Sequence, residues 1–161
     1  MKNKMTEKLF KLAYTDSMTE VQNRNAYEER LKKLRKPNAN ISRITVIVVD
    51  VNGLKEINDS YGHFCGDDAI KTVAKALRDT IGLKADIYRI GGDEFVCISE
   101  SSVLPYISQF KDTIYFINNE KLYNLSVSIG YSRFHEKYSK VIDDIICRAD
   151  EKMYMDKKSK K

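Results

Sequence analysis

The stretch ADIYRIGGDEFVCIS (residues 85–99) sets two glycines and two acids, Gly91, Gly92, Asp93 and Glu94, between apolar runs. The flanks, Ile87 to Ile90 and Phe95 to Ile98, are β-branched and aromatic, and Gly-Gly between such runs signals a hairpin. A tight turn is expected to use glycine for its positive φ. It has no need of adjacent carboxylates, whose like charges repel. A third acid, Asp50, closes the run ITVIVVDVN, which reads as a central strand. If that strand lies beside the hairpin, Asp50, Asp93 and Glu94 converge. Three carboxylates with little basic compensation are costly unless a cation sits among them. Oxygen donors without histidine point to Mg²⁺ or Mn²⁺. A pair of such ions is a standard means of driving a hydroxyl onto a phosphate. The spacing equally admits another reading, in which Asp50 caps a following helix and the hairpin acids are solvated.

The elements that must position these acids follow from periodicity. Lys4 to Tyr14 has helical spacing, and the segment TDSMTEVQNRN after it is turn-rich. A helix is expected over Arg24–Leu34, capped by Asn23 and closed by RKPNANIS with Pro37. After the central strand come a short helix, GLKEINDSYG, stopped by Gly62, and a longer one, GDDAIKTVAKALRDTIG, stopped by Gly82. The longer one carries Ile70, Val73, Ala74, Leu77 and Ile81 on one face. The hairpin is followed by a helix near Leu104–Ile117 and by the strand LSVSIGYS. In that strand Leu125, Val127, Ile129 and Tyr131 alternate with serines and glycine. A last helix carries Val141, Ile142, Ile145, Ile146, Ala149 and Met153. The order βααββαβ after an N-terminal helical piece predicts an α+β fold of the split-βαβ kind. Its mostly antiparallel central sheet would have helices over one face and loops at the strand tips.

Composition narrows the function classes. A chain of 161 residues with 42% hydrophobic and 32% charged residues is one ordinary globular domain. The net charge of +5 is partly a tail effect, since KKSKK ends the chain, and it suits a phosphate-bearing ligand without demanding one. No aromatic-basic platform or zinc-finger spacing supports nucleic-acid binding. Cys65, Cys97 and Cys147 form no CxxC pair, which argues against a disulfide framework or zinc site and for a reducing cytosol. No apolar run approaches the ~18 residues of a membrane span. The N-terminus MKNKMTEKLF is too polar for a signal peptide. The expectation is a cytoplasmic domain without direct membrane insertion, on its own or as the output domain of a larger receptor.

Five ordered blocks then resemble one family. RIGGDEF contains the signature of the GGDEF family, the diguanylate cyclases. DSMTEVQNR is similar to the family's DxLTGLxNR block, and DVNGLKEINDSYGHFCGD to its DxDxFKxxNDxxGHxxGD block. LSVSIGYS resembles the late strand and ADEKMYMDKK the terminal ADxxMYxxK helix. The blocks run from Asp16 to the end, about nine-tenths of the chain. The resemblance implies a palm-like fold shared with nucleotide polymerases and class III cyclases. It also implies the condensation of two GTP into cyclic di-GMP with release of two pyrophosphates, with two Mg²⁺ or Mn²⁺ per GTP. Each protomer would bind one GTP, and a transient head-to-head homodimer would be needed for catalysis.

By the same resemblance, Asp50 and the Val51 carbonyl are metal ligands. Asp93 bridges the metals and is often assigned as base toward the ribose 3′-hydroxyl, and Glu94 assists. Gly91 and Gly92 let the triphosphate approach the backbone. Asn58 and Asp67 match the guanine-reading pair, where a carboxylate meets N1–H and N2–H₂ and ATP would leave Asp67 unpaired. Read without the resemblance, Asn58 is a helix C-cap and Asp67 the N-cap of the long helix. His63 aligns with a histidine near the substrate, with packing an equal reading. Lys55 and Lys157 match phosphate-contacting lysines.

The departures are informative. Asn52 replaces the usual second aspartate, Leu54 the usual phenylalanine, and Glu20 the usual glycine of the N-terminal block. The family's terminal arginine contact is missing, and Lys161 could replace it only as a point charge. At the RxxD position of the product-inhibition site the chain reads GLKA (Gly82–Ala85), so no inhibitory site is expected. The layout expected is a linker helix over residues 1–15 and the cyclase domain over 16–161, with an upstream sensor domain or regulatory partner. The competing reading is a catalytically silent GTP- or cyclic-di-GMP-binding signalling module. Cyclic GMP-AMP synthesis and oligonucleotide binding stand further off.

Overall fold

The computed structural model describes residues 2–160. Its elements are α1 (Lys2–Tyr14), α2 (Arg24–Leu34), β1 (Thr45–Val51), α3 (Leu54–Tyr61), α4 (His63–Thr80), β2 (Asp86–Arg89), β3 (Glu94–Ser99), α5 (Leu104–Asn118), β4 (Val127–Arg133) and α6 (Ile142–Ser159). The α+β expectation holds. The four strands pair antiparallel in the order β2-β3-β1-β4, with β1 between the hairpin and the late strand. Asn23 caps α2 by accepting the Ala26 N–H at 3.1 Å, and the helix spans the residues its periodicity gives.

One expectation is corrected. Helices cover both faces of the sheet. On one face Ile47, Val49, Phe95 and Cys97 pack with Val73 and Leu77 of α4 and with Phe110 and Ile114 of α5. On the other, Val46, Val48, Val96 and Ile98 meet Tyr27 and Leu31 of α2 and Ile145, Ala149 and Met153 of α6. The unbroken apolar run of β1 is the cause, because a central strand with both faces buried needs no polar alternation. Each fully buried large side chain, such as Phe95 or Leu77, contributes about 1.5–3 kcal/mol.

The serine-and-glycine face of β4 is buried as well. Ser128, Gly130 and Ser132 lie beneath α6, and small residues there let the helix come close. A Cβ on Gly130 would fall 2.8 Å from the Lys152 carbonyl carbon and closer still to the Ala149 oxygen and the Met153 nitrogen. Side chains of α6 and of its C-cap residue Lys160 also satisfy the outward backbone groups of β4. Asp156 accepts the Ile129 N–H at 2.8 Å, Lys160 donates to the Val127 carbonyl at 2.7 Å, and Lys152 donates to the Tyr131 carbonyl at 3.1 Å. At β2, the Gln22 N–H donates to the Ile87 carbonyl at 3.0 Å, and the Gln22 carbonyl accepts the Arg89 N–H at 2.8 Å.

Helix α4 begins earlier than its apolar face implies. Gly62, at φ 85°, ends α3 and immediately precedes α4, and no side chain caps the start. Asp67 therefore lies inside α4 and is not its N-cap. Glu20, which stands where the resembled block has glycine, adopts the left-handed region at φ 62°.

Candidate active site

The C-terminal end of β1 delivers Asp50 and Val51 to one end of the sheet, and register sets Asp50 directly opposite Glu94 of β3. The chain then turns through Asn52 and Gly53. Asn52 donates to Ser126 Oγ at 3.1 Å and accepts from Ser128 Oγ at 2.7 Å, so this departure from the family pattern ties the loop to β4. Gly53, at φ 65°, starts α3 without a side-chain cap, which leaves the first N–H groups of the helix free of intrahelical partners. They open on a cleft of about 620 Å³ lined by Val51, Asn52, Gly53, Leu54, Lys55, Glu56, Ile57, Ser60, Tyr61, Asp93, Asn124, Ser126, Lys157 and Lys160. A helix N-terminus beside lysines suits a phosphate group.

The hairpin turn is held from two sides. The Val51 N–H donates to the Asp93 carbonyl at 2.9 Å, and Arg89 Nη2 donates to the Gly92 carbonyl at 2.8 Å. Arg89 in turn pairs with Asp16 at 3.1 Å, so the N-terminal block braces the turn. Burial alone would raise the Asp16 carboxyl. Hydrogen bonds from Thr19 and Arg89 outweigh it and hold the group below its ordinary 3.8. Neither Gly91 nor Gly92 has positive φ, against the expectation for the turn. Gly91 supplies space, since a Cβ there would stand 2.9 Å from the Glu94 carboxylate, whereas one on Gly92 would meet nothing within 4 Å.

The acids repel, as their spacing implies. Burial pushes Glu94 up, with Asp93 and Asp50 adding to the rise. Burial also pushes Asp50 up; Lys157 counters it and Asp93 reinforces it. Lys157 Nζ lies 2.7 Å from Asp50 Oδ1, and this bond, helped by Asp93 and Glu94, drives the lysine upward. Asp50 thus caps no helix, since Gly53 precedes α3 and the carboxylate is spent on Lys157.

Among the described residues no group of three or more His, Cys, Asp or Glu side chains is gathered into a closed metal-ligand set. A cation nevertheless already stands at Asp50 in the form of the Lys157 ammonium. The carboxylates of Asp50, Asp93 and Glu94 with the Val51 carbonyl make an all-oxygen donor set of the type that hard divalent ions take. The residues present fit magnesium or manganese.

Of the residues singled out from the sequence, Val51, Lys55, Asp93 and Lys157 line the cleft itself. Asp50 and Glu94 adjoin it through Lys157 and the strand register. Asn58 lies inside α3 with its side chain packed on Gly66, where any Cβ would strike it, and half-buried Asp67 is the next residue of α4. His63 is exposed at the first position of α4. Lys161 lies outside the described residues. Sequence reasoning missed Lys160, which lines the cleft and bonds to Asp156 at 2.6 Å. Its spacing of three from Lys157 on one helix was the available signal, hidden by reading KKSKK as a solvated tail.

Residues 13–161 match the family model described as diguanylate cyclase, GGDEF domain. A diguanylate cyclase of Vibrio cholerae is 31% identical over 170 residues, covering 96% of this chain and 50% of that protein. The diguanylate cyclase DosC of Escherichia coli is 30% identical over 155 residues, covering 89% of this chain and 33% of its own length. The chain thus spans half or less of these two relatives. Among solved structures, the coiled coil and GGDEF domain of DgcB from Caulobacter crescentus, in complex with c-di-GMP, superposes with a TM-score of 0.80 at 22% identity, over 98% of this chain and 87% of that one. The diguanylate cyclase SiaD of Pseudomonas aeruginosa, in complex with its activator SiaC, gives 0.80 at 20% identity, over 99% and 64%. These likenesses carry the fold, and the family model covers almost the whole chain: the chain belongs to the GGDEF domain family of diguanylate cyclases.

Proposed function

We propose that this domain condenses two GTP molecules into cyclic di-GMP and two pyrophosphates. The observation that carries the reading is the meeting of Asp50, Asp93 and Glu94 with Lys157 beside the uncapped start of α3. Two protomers, each holding one GTP, face each other. The ribose 3′-oxygen of one nucleotide forms a bond to the α-phosphorus of the other, the α–β bridging P–O bond breaks, and pyrophosphate leaves. The mirrored step closes the ring. Asp93 accepts the 3′-hydroxyl proton, and Glu94 orients that hydroxyl. Lys55, Lys157 and the N–H groups of α3 hold the triphosphate, while Gly91 and Gly92 leave it room. Asn58 and Asp67 read the guanine edge, and His63 stands near the substrate. Asp50, the Val51 carbonyl, Asp93 and Glu94 would hold Mg²⁺ or Mn²⁺, two per GTP, which supplies charge neutralisation at the reacting phosphate.

The domain works in the cytoplasm under a sensor domain or regulatory partner that brings protomers together, and isolated it would turn over slowly. Incubation with GTP and Mg²⁺, followed by mass spectrometry, tests the reading. Cyclic di-GMP from the native chain and none from Asp93→Ala is the expected result. GTP binding without product would favour the silent module.

A further inference from the structure

Asp50 and Lys157 have separate tasks in the proposed reaction, yet in the structure they hold each other. We propose that Lys157 is a built-in counter-ion that keeps the cation position at Asp50 closed until a triphosphate draws it away, so that divalent ion and nucleotide bind as one coupled event. The inference rests on the reading above and adds an order of binding to it.

The Asp50 side chain is 6% exposed, and a carboxylate buried to that degree is costly without a partner. Among the described residues, its only hydrogen-bond partner is the Lys157 ammonium at 2.7 Å. A divalent ion arriving alone must break that bond and sit against the ammonium's charge. Lys157 is also equipped to leave. Its side chain is 33% exposed, it lines the cleft, and its four-carbon stem is flexible. Lys160 cannot take its place on Asp50, because it is bound to the Val127 carbonyl and to Asp156. A triphosphate at the α3 N-terminus offers Lys157 a stronger anion than one carboxylate. Its departure exposes Asp50 beside Asp93 and Glu94, three acids that then require a new cation. By linkage, metal and nucleotide strengthen each other by one common factor.

The test uses Mn²⁺ alone as probe, with free ion read by electron paramagnetic resonance and no nucleotide present. Lys157→Met should bind Mn²⁺ roughly ten- to a hundredfold more tightly than the native chain, the weight of one hydrogen bond to a charged group. Lys157→Gln repeats the measurement, and thermal melts confirm that both variants fold. On the native chain, the Lys157 ammonium resonance in ¹⁵N NMR should shift when a non-hydrolysable GTP analogue is added without metal. Asp50→Asn is the reference for site-specific binding. If Mn²⁺ binding depends on Asp50 but neither lysine variant tightens it, the counter-ion role is overturned and the cyclase reading stands. If no chain binds Mn²⁺ through Asp50, even with the analogue, both fall.

Discussion

Replacing Gly130 with alanine tests the close approach of β4 and α6. The added Cβ would stand 2.8 Å from the Lys152 carbonyl carbon, with the Ala149 oxygen and Met153 nitrogen nearer still. All three are backbone atoms, so no rotamer change relieves the clash. Carbon contacts settle near 3.5 Å, so α6 must retreat by about an ångström. Overpacking of this kind costs about 1–3 kcal/mol. The stiffer unfolded chain returns about 0.4–1 kcal/mol. A net loss of about 1–2 kcal/mol lowers Tm by roughly 2–8 °C in a domain of this size. The same retreat pulls Lys157 from Asp50 and Asp156 from the Ile129 N–H, now at 2.7 and 2.8 Å. A misplacement of about 1 Å in a reacting site can cost on the order of a hundredfold in rate. Thermal melting and cyclic di-GMP formation are the assays. A Gly130→Ala chain that melts within a degree of the native one and retains its rate would refute the close packing.

Gly92→Ala makes the opposite case: its Cβ meets nothing, so stability should stay within about 0.5 kcal/mol while product formation drops at least tenfold. An unchanged rate would remove Gly92 from the triphosphate path. Glu20→Gly relieves a left-handed residue at φ 62° and should raise stability by up to about 1 kcal/mol, seen as a Tm gain of a few degrees. Asp16→Asn should cost about 2 kcal/mol in urea unfolding at neutral pH, because the amide keeps one acceptor oxygen but loses the charge that strengthens the bonds from Thr19 and Arg89. Because the folded carboxyl sits below 3.8, that stability is present above 3.8 and lost as pH falls through the folded value. The native and variant curves should therefore converge only in strong acid. Asp67→Ala should erase most of the preference for GTP over ATP, measured by competition binding.

The mostly antiparallel sheet, with its first strand beside the hairpin, was legible because the hairpin signal and the unbroken run of β1 are local. The bounds of α2 were legible because Asn23 and Pro37 punctuate it. What was not legible depended on tertiary fit. The alternation in LSVSIGYS suggested one buried face, whereas Ser128 and Gly130 are small because a helix lies on them. The start of α4 was hidden because Gly62 serves two helices at once and no capping side chain marks it. The acids of the site could be picked out, since charge at the end of a buried strand is anomalous. Their pairing with Lys157 could not, because 107 residues separate Asp50 from the lysine.

The bonds along the flanks of the sheet limit how two copies can meet. An uncovered rim of amides and carbonyls invites another chain to add itself as a further strand. Here Asp156, Lys160 and Lys152 occupy that rim along β4, and Gln22 occupies part of it along β2. A sheet continuous across two molecules is thereby disfavoured on both sides. Two protomers meeting as proposed would do so through loops and helices, whose contacts can be made and released without unzipping either fold.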